Sequence, residues 1–243
     1  AFIIGNKIDK NFDVTNSGLS KVNFFSESSN LSKVDISTDN WPFFYMPSKV
    51  WPKSYIFIIL LIFVSSFFFI QNTNPINKKN FSPTCFFLGS GFMLIETKGI
   101  TELALVFGST WFVVSIVIAF ILIMAYFANL LIIKKIKIKA YLIYTLVLLS
   151  ISLGYFYTLI DHGSVNSITQ KILTPSILTI PIFFSGLAFS KQLSIEKTVS
   201  VALSSNILGA IFGGLLEYNS MYFGFRSLYI LGFIMYLAAF IFA

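Results

Sequence analysis

Residues 91–102 read Gly-Phe-Met-Leu-Ile-Glu-Thr-Lys-Gly-Ile-Thr-Glu, and Glu96, Lys98 and Glu102 stand inside a stretch that is otherwise apolar from Cys85 to Phe107. Near the centre of a bilayer each such charge costs about 2.5–3.5 kcal/mol, so the groups must pair, face water or act. On a helix turning about 100° per residue, Lys98 and Glu102 share a face and can pair. Glu96 points about 200° away from Lys98 and needs a partner on another helix or a water-filled cavity. Two chemistries fit: a buried clamp that holds helices together, or a proton, ion or substrate site. The clamp is the simpler expectation, because no second acidic cluster lies in a neighbouring apolar run.

Other polar groups are sparser. Asn206, Ala210, Gly213, Gly214 and Glu217 form one stripe on a helix face. Gly209 and Gly213 make a GxxxG pair, and Ala210 and Gly214 repeat the spacing, so Gly209, Gly213 and Gly214 are expected to admit a neighbouring backbone, with Asn206 bonding across helices. Glu217 and Arg226 lie nine residues apart across a tight turn and are expected to form an interfacial ion pair; alternatively Arg226 receives an anionic headgroup or substrate. Asp161-His162-Gly163 reads as a solvated turn. A lone histidine and a lone cysteine give no metal site, no intrachain disulfide and no evidence on redox compartment. No phosphate-binding loop, zinc-protease motif or nucleophile elbow is present, and no nucleophile and base pair stands out.

These residues need elements to hold them, and composition says which. The chain has 243 residues, mean hydropathy +0.82, and is 56% hydrophobic with 11% charged. Soluble domains are near 25% charged, so this is a membrane protein by composition. The net charge of +7 comes largely from lysines in short loops between apolar runs, where they read as interface anchors rather than nucleic-acid contacts. Seven apolar runs approach the roughly 20 residues a crossing needs: 55–70, 84–107, 110–133, 141–160, 172–189, 199–218 and 222–242. Pro175 and Pro181 are expected to kink the fifth. No β-barrel alternation and no internal repeat is visible.

The expected fold is therefore an all-α polytopic membrane protein of about seven transmembrane helices, residues 54–243. It follows residues 1–53, a polar remnant of a soluble α/β domain plus linker. Trp41-Pro42 and Trp51-Pro52 flank Phe43, Phe44 and Tyr45, which fits a headgroup-level aromatic belt. The first residues lack a signal-peptide pattern, so a piece of a longer protein is expected. With seven full spans, Lys78, Lys79, Lys134, Lys135, Lys137, Lys139, Lys191 and Lys197 fall opposite the N-terminal segment. That count sets the segment outside the cytoplasm. A re-entrant 84–107, interrupted at Glu96–Gly99, would return Lys134–Lys139 to its side.

Three stretches resemble one family. Thr38-Asp39-Asn40-Trp41-Pro42-Phe43 resembles the Thr-Asp-Asp-x-Pro segment that closes the soluble domain of bacterial membrane-fused spermidine synthase-like proteins. Gly91-Phe92-Met93-Leu94-Ile95-Glu96 is similar to the opening of their following span, and Asn206–Ala210 with Gly213–Glu217 is similar to an Asn-x-x-Gly-Ala-x-x-Gly-Gly helix near their C-terminus. Asn40 departs from the family's second aspartate. The resemblance implies a missing N-terminal soluble domain of aminopropyltransferase or methyltransferase type, cytoplasmic, binding S-adenosylmethionine or its decarboxylated form. It implies a multi-pass protein of the bacterial inner membrane. No cofactor and no catalytic residue is expected in this chain, whose partners would be the lipid bilayer and that soluble domain. The alternative is a small transporter or channel for a cation such as a polyamine, using Glu96 and Glu102.

Overall fold

A computed structural model of the chain describes residues 35–43, 45–51, 53–73, 81–107, 110–134, 138–159 and 168–243. Asp161, His162, Lys78, Lys79, Lys135, Lys137 and the expected α/β remnant up to residue 34 lie outside them. The chain divides into two units, 1–35 and 36–243. Residues 36–52 thus belong with the helices.

Beyond residue 52 the described elements are all helices: α1 Lys53–Thr73, α2 Pro83–Phe107, α3 Trp111–Ile133, α4 Ala140–Tyr157, α5 Ile168–Ile195, α6 Val199–Glu217, α7 Ser220–Phe223 and α8 Ser227–Phe242. Each of the first six apolar runs forms one helix, because a run with no competing polar partner must satisfy its backbone internally, while the seventh, 222–242, divides at Gly224–Arg226 between α7 and α8. Three stretches are long and apolar enough to cross a membrane: Ala140–Tyr157, Leu173–Ile195 and Val199–Phe223. Shorter apolar stretches lie at Lys53–Ser66, Ile118–Ile133 and Ser227–Phe242. Among the described residues, length and composition thus support three of the seven expected spans.

One expectation changes here. α2 is one unbroken helix of 25 residues through Glu96–Gly99, so the re-entrant interruption is absent. At 1.5 Å per residue it is roughly 37 Å long, more than the ~30 Å of a hydrocarbon core. α5 likewise continues through Pro175 and Pro181.

α2 is the central element, packed against α3, α5, α6 and α8, while α4 packs on α5 and α8. Its neighbours show the helix directions. Ser82 pairs with Ser205 and Thr97 with Glu217, so α2 and α6 run parallel. Thr84 bonds Phe242 O at 2.8 Å, and Gly91 abuts Tyr236, so α8 runs antiparallel to α2. Tyr157 bonds Thr174 at 2.6 Å across the α4–α5 hairpin. The core between these helices is apolar and aromatic, from Leu88 and Ile95 through Ile143, Val147 and Ile151 to Tyr229 and Tyr236.

The exterior is apolar as well. Leu122 of α3, Leu149 of α4, Ile207 of α6 and Ile230 of α8 are 51–64% exposed. Water-soluble monomers do not carry apolar surface on every outer helix face. Hydrocarbon is the solvent that matches it.

Candidate functional site

The tightest helix contact is α2 on α6, and glycine creates it. A Cβ at Gly209 would overlap Phe86 O, and one at Gly213 would stand 2.5 Å from Ser90 O. The reciprocal contact lies on α2, where a Cβ at Gly89 would overlap Asn206 O. The close approach lets Ser90 Oγ donate to Gly209 O at 2.8 Å and Asn206 Nδ2 donate to Cys85 O at 3.2 Å. Gly214 departs from the sequence reading: a Cβ there has nothing within 4 Å, so it packs against no helix among the described residues. The Gly89-Ser90-Gly91 run was the overlooked signal for the α2 side of the contact.

The ionisable groups gather at one end of the bundle. Lys98 is fully buried and forms an ion pair with Glu102, which is 17% exposed. The Lys98 ammonium also lies 5.5 Å from the Tyr229 ring centroid and 5.9 Å from that of Phe225. Thr97 Oγ1 donates to Glu217 Oε2 at 3.3 Å. This is the level at which α4 and α6 end and α8 begins. α2 continues past it for nine residues, roughly 14 Å, and so does α5, which begins ten residues before the Leu178 that lies against Gly99. The charges therefore sit at the level where α4 and α6 stop.

Not all of the expected members join in that way. Asn206 lies toward the opposite end, on Cys85 O. Glu217 and Arg226 form no ion pair: Arg226 Nη2 donates to Thr158 O at 2.9 Å instead. The reason is local. The short α7 and Gly224, at φ +84°, turn the chain so that Arg226 faces the end of α4. Positive φ favours glycine, and the Asn40 side chain and carbonyl also fill the space a Cβ would need. Glu96 is half-buried and has no ion pair or hydrogen bond to any described residue.

Residues 38–43 close this end. Trp41 is not the headgroup-belt residue expected. It is 1% exposed, and its indole Nε1 donates to Met221 O at 2.7 Å. Asn40 O accepts from Phe225 N at 2.7 Å, and Asn40 Oδ1 accepts from Arg226 N at 2.8 Å, at the start of α8. An amide oxygen fills this acceptor role as a carboxylate oxygen would. Phe43 stacks on Phe225 at 5.4 Å and 16°. Outside this peg, Trp51 stacks on Tyr222 at 4.4 Å, and Tyr55 lies 5.6 Å from Tyr218, an aromatic group suited to the membrane interface.

A pocket of about 190 Å³ remains between the peg and α6, lined by Phe43, Gly214, Glu217, Tyr218, Ser220, Met221 and Phe225. The open space at Gly214 belongs to this pocket. No protein-family description, curated protein or solved structure matches the chain.

Proposed function

We propose that the chain is the membrane module of a larger protein: seven helices cross the bilayer in alternating directions, and one face of the bundle grips the segment that leads in from a soluble domain. The helix directions support the crossing. α2 and α6 run parallel and α8 antiparallel to them, as second, sixth and seventh crossings must when α7 is only a turn. α8, at 16 residues, is short for a full crossing; local thinning of the bilayer accommodates such mismatch at modest cost.

The observation that carries the tether is the Trp41 peg. A flexible linker needs no buried tryptophan, yet three backbone-directed hydrogen bonds and one stacked ring fix residues 40–43 on the α6–α8 connection. Residues 40–43 are thereby held against the α6–α8 connection in one register. In line with the resemblance, the preceding domain is proposed to be nucleotide-cofactor-binding, of the spermidine synthase-like type, at the bacterial inner membrane. The bundle would anchor it and present a lipid or amphipathic substrate. Cation transport through Glu96 and Glu102 is the weaker reading, because Lys98 already neutralises Glu102.

Trp41→Ala tests the tether. Emptying a buried tryptophan site costs about 3–5 kcal/mol, more than so short a segment can replace. Proteolysis within 36–52 is expected to accelerate at least tenfold while the helices keep their melting temperature. An unchanged cleavage rate would show that Trp41 does not hold the segment.

A further inference from the structure

The pocket beside Glu217 combines features of an organic-cation site. Glu217 supplies a carboxylate with one oxygen bonded to Thr97 and no ion pair among the described residues. Phe43 and Phe225, stacked on each other, and Tyr218 supply aromatic rings, whose faces attract cations. Among the described residues, no basic side chain lines it. The nearby Lys98 charge is already paired with Glu102. Gly214 keeps the cavity open, since its absent side chain would enter empty space and not a neighbouring helix. No described residue packs where its side chain would stand.

We propose that this pocket binds a small organic ammonium group, with Glu217 as its counter-charge and the Phe43, Phe225 and Tyr218 rings as its walls. The group comes either from an amine-bearing lipid headgroup or from a free amine. Position favours access for both, because the pocket lies beside the interfacial Trp51, Tyr55 and Tyr222 rings. The proposal goes beyond the tether and does not need it; it needs only the bundle folded in lipid.

Equilibrium dialysis with labelled choline tests it on the chain in phosphatidylglycerol nanodiscs. Saturable binding of one choline per chain is expected. Glu217→Gln keeps an acceptor for Thr97 but removes the charge, and should weaken binding at least tenfold. Gly214→Leu should abolish binding by filling the cavity while the melting temperature stays at the wild-type value. Loss of free-choline binding in phosphatidylcholine nanodiscs would assign the site to a headgroup, and persistence would assign it to a free amine. Absence of saturable binding in phosphatidylglycerol would overturn the proposal. So would wild-type affinity in either variant.

Discussion

Valine at position 209 is expected to be the most damaging single substitution in the bundle. Its Cβ would occupy the space of Phe86 O, a backbone atom that no side-chain rotation can move. Relief requires α2 and α6 to separate, which also breaks the Ser90–Gly209 and Asn206–Cys85 bonds. Overpacking typically costs 1–3 kcal/mol and occasionally more. With two interhelical bonds lost as well, a loss of at least ~3 kcal/mol is expected, or roughly 6–12 °C for a domain of this size. Gly214→Ala is the matched control. Five residues along the same helix, its Cβ enters open space, and alanine improves helix propensity by about 0.5–1 kcal/mol. Melting curves in detergent should therefore fall for the first and hold or rise for the second. Equal effects would mean that α6 presents a different face to α2.

The second large effect concerns the buried pair. Glu102→Leu leaves Lys98 fully enclosed with no counter-charge, only the Phe225 and Tyr229 rings. Removing one partner of a buried pair costs about 3–5 kcal/mol, whereas replacing both by apolar groups is often neutral or stabilising. Lys98→Met is expected to be milder than Glu102→Leu, because Glu102 keeps some exposure and Lys98 has none. The double variant Lys98→Met with Glu102→Leu should regain wild-type stability or exceed it. Additive losses in the double variant would contradict a closed clamp and point to separate roles for the two charges.

The helices were legible in the sequence to within a few residues at most ends, because apolar length and loop composition dictate them almost alone. α5 ran longer than its apolar run, from Ile168 to Ile195, since polar residues at a helix end do not stop it. The Lys98–Glu102 pairing follows from four-residue spacing, which places both on one face. Contacts between distant segments were not legible. Trp41 reads as an interface residue beside any first span, and only Met221, 180 residues away, makes it a peg. Gly213 and Gly214 differ by one helical step, about 100°, and no pattern in a single sequence says which faces a neighbour. The Glu217–Arg226 spacing suggested an ion pair, but α7 and Gly224 redirect the chain between them.

Site-directed spin labelling tests most directly whether hydrocarbon surrounds these helices. With Cys85 replaced by serine, single cysteines at Leu122, Leu149, Ile207 and Ile230 would carry labels on four different outer faces. In reconstituted bilayers these labels should collide freely with oxygen and scarcely with a water-soluble nickel complex. Greater nickel than oxygen accessibility at these positions would place the same faces in water and contradict a bilayer-spanning bundle.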